Sequence, residues 1–326
     1  MANDFKNTSL VTKFAVKEFL NALMMGQKVD RQLDEKNIFS GKIGASANVR
    51  RPVMFEATDG TTLTTQDLEE ANVTVSLDNR KHVGFLVTSE DLALRIEDAN
   101  ERYIKPAMEE LAQQVESAIA AEYTEIPNFV GTPGTTPSSF LDVANAGAEL
   151  SKLGVPMDSR CAFYDSGASV SLANGLKGVF TQGIAKTAIE EASIGRYGKF
   201  DIFESNSLKS HTVGVATGTP LVDGASQEVT YLASKDTDTQ TLVTNGWTNS
   251  TADILLAGDI ITIAGVNSVN RRTREDTGDL QTFTVTADAA AGASTGPATL
   301  TIAPPIIITG PYQTVTAAPA NDAVIT

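Results

Sequence analysis

At 326 residues the chain exceeds the roughly 250–300 residues that one hydrophobic core serves, and with 41% hydrophobic and 20% charged residues it reads as globular, so two or more compact units are expected. Lys and Arg total 25 against 40 Asp and Glu, and the net charge of −15 argues against a dedicated nucleic-acid binder, whose grip on phosphate depends on clustered cations. A single cysteine, Cys161, removes any intrachain disulfide framework, and the adjacent Ala162 and Phe163 predict a buried, inert thiol.

Met1-Ala2-Asn3-Asp4 brings no basic stretch ahead of an apolar run, so no secretory signal is expected and folding is placed in a cytoplasm. Leu10, Phe14, Phe19, Leu20, Leu23 and Met24 recur near a helical period and predict an amphipathic helix, with Thr8 or Ser9 as N-cap and Gly26 as its stop. The polar connector at 27–47 has weak periodicity and reads as an arm draped over something else. A two-stranded ribbon follows, running out through Val49, Val53 and Phe55 and back through Val73, Val75 and Leu77 to residues 82–87, with an Asp59-Gly60 turn signal and an acidic tip at 61–70. Such a ribbon is marginal alone in water, so it is expected to need cover from a neighbouring subunit.

Thr88-Ser89-Glu90-Asp91 resembles a capping box and opens a long helix whose apolar stripe is Leu92, Ile96, Ala99, Tyr103, Ala107, Leu111, Val115 and Ile119. Pro106 predicts a kink, or two helices meeting before it. Glu90, Asp91, Glu97, Asp98, Glu101, Glu109, Glu110 and Glu116 are assigned to the wet face. After a Gly-, Pro- and Thr-rich loop at 127–137, helices are expected at 140–153 and 166–176, a buried strand at 160–164 and a short strand at 200–203. From about Gly218 the texture turns to Thr, Val, Ile, Ala and Gly, with strand-length runs at 229–232, 241–243, 260–263, 283–286 and 299–302. This predicts a separate small β domain, barrel or sandwich. No apolar run approaches the roughly 18 residues that a membrane span needs.

Chemistry is hard to place. His82 and His211 lack the neighbours of a metal cluster and read as structural. Gly178 and Gly183 have phosphate-loop spacing, but Ile184-Ala185 stands where Lys and Ser or Thr are required. The stretch at 166–171 lacks the second glycine of a nucleophile elbow, and Ser166 reads as a helix cap. Asp236-Thr237-Asp238 opens like a calcium loop, yet Thr241 replaces its glycine and Trp247 its closing Glu. No catalytic residue, metal site or cofactor is expected, and the reading is non-enzymatic. The densest mixed-charge stretch, 270–279, is expected to be an exposed loop, either a solvated turn or an interface loop in which Arg271, Arg272 and Arg274 pair across a subunit boundary.

Taken in order, the chain resembles tailed-bacteriophage major capsid proteins, namely the P-twenty-two-like coat family with the Hong Kong ninety-seven-type fold. The resemblance is carried by Lys42-Ile43-Gly44 through Arg50-Arg51-Pro52-Val53, by Ser89-Glu90-Asp91-Leu92 with Glu101-Arg102-Tyr103-Ile104-Lys105-Pro106, by Gly198-Lys199-Phe200-Asp201-Ile202-Phe203, and by Gly258-Asp259, Ala264-Gly265-Val266 and Phe283-Thr284-Val285-Thr286. It implies an α+β capsid fold with a 1–40 N-terminal arm, a 41–87 extended β loop, an 88–127 peripheral domain with the spine helix, a 128–217 axial domain and a 218–326 inserted all-β, barrel-like domain. The family returns after the insertion to finish its axial and peripheral domains, whereas this sequence stays in β texture to Thr326; a missing return is expected to leave unpaired edges in the axial sheet.

The function implied is that of an icosahedral shell subunit, forming pentamers and hexamers of itself as a procapsid and then a matured head. Scaffolding and portal proteins are the implied partners, double-stranded DNA is enclosed without sequence-specific binding, no membrane is involved, and the protein resides in the virion after assembly in the host cytoplasm. Subunit contacts are expected from Phe14 and Leu20 on the arm, Val53, Phe55, Val75 and Leu77 on the ribbon, and Arg271, Arg272 and Arg274. The competing reading is a secreted or surface β-rich binding module, which would need export; a hydrolase is weaker, having no nucleophile, base and orienter to name.

Overall fold

The computed structural model describes residues 6–29, 46–57, 60, 61, 63, 65, 66, 68–76, 79–84, 100–176 and 196–326. Helix α1 (Lys6–Ala22) is followed by a 3-10 turn, Met25–Gln27, and packs along α2 (Lys105–Ala121). Thr8 and Ser9 therefore lie inside α1 rather than capping it, and Gly26 sits within the turn beyond the helix end. Pro106 lies in the first turn of α2, where its missing N–H leaves no bond unmade, and a wide π turn, Asn100–Ile104, leads into it. The expected junction before Pro106 is thus a change of helical pitch. A 3-10 turn, Glu122–Glu125, ends the unit.

Strands β1 (Ser46–Arg50) and β2 (Asn72–Ser76) form the ribbon, antiparallel, with Ala47 opposite Val75 and Val49 opposite Val73. Those four side chains are the less exposed ones on alternating positions, and on the opposite face Thr74 Oγ1 donates to Asn48 Oδ1 at 2.8 Å. The ladder is shorter than expected. Residues 51–55 carry no strand structure, residues 82–84 are exposed coil, and Leu77 and 85–87 lie outside the described residues.

Helices α3 (Phe140–Lys152) and α4 (Ser166–Leu176) cover a sheet ordered β3 (Cys161–Tyr164), β5 (Phe200–Glu204), β4 (Arg196–Tyr197), in which β3 and β5 run parallel. Val143, Leu172 and Phe200 are its buried centre. Among the described residues β3 and β4 are each paired on one side only. Ser139 caps α3 through a reciprocal capping box with Asp142, whose carboxyl is held below its usual range by the backbone N–H groups of Ser138 and Ser139. The cap of α4 is Asp165, which accepts from Ala168 N at 3.1 Å, not Ser166. Cys161 is half-buried, more open than its apolar neighbours suggested.

The main core lies in the last third of the chain. A five-stranded antiparallel sheet is ordered β6 (Gly218–Val222), β7 (Gln240–Trp247), β10 (Ala298–Ala303), β9 (Asp276–Val285), β8 (Ile260–Val269). Alternate residues of β7 and β10 point inward, where Leu242, Leu300 and Ile302, with Trp247 out of phase at the end of β7, join Val222, Ile254, Ile263, Phe283 and Ile306. Residues 323–326 bond to both edges of this sheet: Val222 N donates to Ala323 O and Ile325 N to Pro220 O on one side, while Ala264 N donates to Val324 O and Thr262 N to Thr326 O on the other. Gly246 permits the close approach of β6 and β7, since a Cβ there would stand 2.2 Å from Thr219 O.

Two expectations fail here. The run at 229–232 is not a strand; α5 (Tyr231–Ser234) is a single helical turn, while Gln240 Nε2 donates to Gln227 O just ahead of it. The expected loop at 270–279 is too long, since β9 already begins at Asp276; its first residues are polar and mostly exposed, so they carry no apolar period by which the strand start could be read.

Candidate assembly surfaces

The arm is anchored by one carboxylate. Glu116 on α2 is 4% exposed and accepts from Met24 N at 2.8 Å, Met25 N at 2.9 Å and Gly26 N at 3.0 Å. Three N–H groups at the start of a helical turn have no intrahelical acceptor, and the buried carboxylate satisfies all of them. Its assignment to the wet face is therefore wrong, although Glu101, Glu109 and Glu110 are exposed as expected and Glu90, Asp91, Glu97 and Asp98 lie outside the described residues. Helical spacing could not separate Glu116 from Glu109, because its partners are about 90 residues away. Beyond the turn, Lys28 Nζ stands 5.0 Å from the centre of the Phe203 ring, tying the arm to β5.

The base of the ribbon meets the β domain of its own chain. Arg51 pairs with Asp238 at 3.3 Å, Asn72 N donates to Asp236 Oδ1 at 3.0 Å, and Met54 N donates to the Tyr312 hydroxyl at 3.1 Å. The wall behind them is the parallel stack of Tyr231 on Tyr312, with ring centroids 3.5 Å apart; burial and then the hydrogen bond to Tyr312 push the Tyr231 phenol up to about 12. Asp236 and Asp238, discounted above as a failed calcium loop, hold this contact.

The loop between β8 and β9 packs on the end of α3. Asn270 Nδ2 donates to Lys152 O at 2.9 Å, Lys152 pairs with Asp279, and the Arg272 side chain lies over Gly154. The Asp279 hydrogen bond raises the Lys152 ammonium above its usual range. Arg271 and Arg272 are exposed; Arg274 is half-buried at φ +61°, donates from Nη1 to Arg271 O, and leaves its buried Nε without a partner.

A fourth contact joins three parts of the chain. His211 Nε2 lies 2.7 Å from Asp259 Oδ1, and Nδ1 lies 2.8 Å from the hydroxyl of Tyr123 in the 3-10 turn after α2. Asp259 is buried and its other oxygen accepts from Gly214 N and Leu256 N. A carboxylate can only accept, so Nε2 donates to Asp259, and the tyrosine hydroxyl, able to donate or accept, pairs with Nδ1. Gly258 makes room for this: φ is +99°, and a Cβ would stand 2.9 Å from Thr124 Cγ2 and 3.1 Å from His211 Cε1. The chemistry is a satisfied polar bridge. Among the described residues no cluster of His, Cys, Asp and Glu could hold a metal, and His82 is exposed.

A family model described as "P22 coat protein - gene protein 5" matches residues 1–326. The chain belongs to the P22 coat protein family. It is the major capsid protein of a tailed bacteriophage. Three solved structures are similar to this coat protein: one described as "Mycobacterium phage Che8" (16% identity, 94% of this chain and 89% of that chain, TM-score 0.42), the "Capsid structure of the Cyanophage P-SCSP1u" (14%, 88% and 83%, 0.36), and the "CUS-3 coat protein I-domain" (30%, 34% and 95%, 0.23). A comparison with characterised proteins finds no match. The assignment rests on the family match, which also sets aside the secreted-module reading. It implies a structural, non-enzymatic role in the virion.

On the coat protein, Phe14 and Leu20 face outward at 37% and 42% exposure, Phe55 at 66%, and Leu63 and Leu68 at the ribbon tip at 90% and 66%. Val53 and Val75 are half-buried, Val75 against Ala47, and Leu77 lies outside the described residues. The structure thus brings Arg51 and Arg271 to one cleft, whose lining includes neither Phe14 nor Leu20.

Proposed function

We propose that this coat protein is a Hong Kong ninety-seven-type subunit with arm, extended loop, spine and axial units at 1–40, 41–87, 88–127 and 128–217, and an inserted β barrel at 218–326. Copies assemble as pentamers and hexamers into a procapsid, then a matured icosahedral head around double-stranded DNA, in the host cytoplasm and with scaffolding and portal proteins. The bonding of residues 323–326 to both edges of the large sheet supports the barrel.

The single observation that carries the assembly reading is the apolar surface displayed on the ribbon and arm: Phe55, Leu63 and Leu68 on one, Phe14, Val16 and Leu20 on the other. In this reading Val53, Phe55, Val75 and Leu77 lie over a neighbour's spine, Phe14 and Leu20 clasp another copy, and Arg271, Arg272 and Arg274 pair across a boundary. Fully covering each large side chain contributes about 1.5–3 kcal/mol, before the cost of ordering the ribbon. Contacts of that size, repeated around a shell, are individually reversible and collectively strong.

The test replaces residues 57–69 by Gly-Gly, which keeps β1, β2 and the ribbon base. Negative-stain microscopy and sedimentation should find a folded subunit, with native emission from the sole tryptophan, Trp247, and no shells. Normal particles from that variant would refute the reading.

A further inference from the structure

We infer that the β domain is a latch for the ribbon: it grips the ribbon base within the same subunit and so sets the direction in which the free tip leaves, before any neighbour binds. The contacts fall on both legs of the ribbon. Arg51 and Met54, on the outgoing leg just past the end of β1, meet Asp238 and Tyr312, and Asn72 at the start of β2 meets Asp236. A ribbon held at one point swivels; held on both legs by a common wall, it does not. That wall is continuous because the Tyr231–Tyr312 stack joins the turn carrying Asp236 and Asp238 to the loop carrying Tyr312.

The latch ends sharply. Past Met54 the hydrogen bonds of the described ribbon are internal, Glu56 N with Gln66 Oε1 at 3.1 Å and Gln66 Nε2 with Glu56 O, and Leu63 and Leu68 stand in solvent. The ribbon therefore divides into a base fixed by its own chain and a tip free to bind. Arg271 lines the same cleft and adds a like charge to Arg51, so the seating of Arg51 depends on Asp238. Asp238 is itself half-exposed, so the grip yields to salt. In an acidic chain this is a means of holding a ribbon firmly enough to aim it and loosely enough to let it move when subunits rearrange.

Amide exchange on the unassembled chain tests this independently of shell formation. In Asp236→Ala/Asp238→Ala the Met54 and Asn72 amides should exchange on the order of tenfold faster, with Trp247 emission unchanged. Arg51→Asp alone, which leaves the β domain's sequence intact, should loosen the base by about two- to fivefold, and Arg51→Asp with Asp238→Arg should restore wild-type protection. Raising salt to about 1 M should mimic the single variant in the wild-type chain. Unchanged protection in Arg51→Asp, or failure of the charge swap to restore it while Trp247 emission stays native, would overturn the latch.

Discussion

Replacing Glu116 with Ala should detach the arm while leaving the rest of the subunit folded. Its carboxylate accepts three N–H groups at 2.8–3.0 Å in a site that is 4% exposed, and none of the three has a substitute within the turn. A buried donor left unsatisfied costs about 1–3 kcal/mol. Because the turn can fray toward water, not all three costs are incurred in full, and about 3–4 kcal/mol is expected for Ala. Local opening should then become a few hundredfold more frequent, at about 1.4 kcal/mol per factor of ten. Glu116→Gln keeps the oxygen facing Met24 and Gly26 but points an amide at Met25 N, so an intermediate loss is expected. Amide exchange at residues 24–26 and tryptic cleavage after Lys28 report the opening directly, and Trp247, in the distant β core, serves as the internal control. If the Glu116→Ala variant protects those amides as well as the wild type does, the carboxylate is not the anchor and the arm is held by the α1–α2 packing and the Lys28–Phe203 contact.

Three further outcomes follow from the same geometry. Asp142→Ala should fray the start of α3; since the folded-state carboxyl is depressed, the cap's contribution is full above its unfolded value near 3.9 and is lost as pH falls through the folded one, which acid-dependent exchange at residues 139–142 would show. Arg160 is buried and donates to the carbonyls of Gly147, Val155 and Pro156, so Arg160→Met should strand three acceptors at the end of α3 and cost about 2–4 kcal/mol in urea unfolding. Asp259→Ala should cost about 3–5 kcal/mol by orphaning His211 and two backbone donors, whereas Tyr123→Phe, which removes only the outer bond, should cost about 1 kcal/mol; equal losses would mean that the bridge is not organised around the buried carboxylate.

Much of the local structure was legible in the chain. The helices at 140–152 and 166–176 and the strand at 200–204 stand within a residue of the expected 140–153, 166–176 and 200–203, because each is stabilised largely by neighbours within a few positions. Pro106 marked the change of pitch before α2 for the same reason. The errors over buried and paired carboxylates fell where a distant group decides. Glu116 looked like its solvated neighbours because its three donors come from the arm, and Asp236 and Asp238 looked like an empty loop because Arg51 and Asn72 come from the ribbon. Asp259 and His211 are 48 positions apart and share no spacing signal.

Composition, charge and period determined on their own that this is an acidic chain of mixed helices and strands, with a helical first segment, a two-stranded ribbon and a β-rich last third. Only the tertiary structure decided which polar groups are buried, which part of the ribbon its own chain already holds, and that residues 323–326 bond to both edges of the large sheet. The division has one physical cause. Backbone preference and amphipathic period act over a few residues, whereas a carboxylate's environment is set by whatever the fold carries to it from elsewhere in the chain.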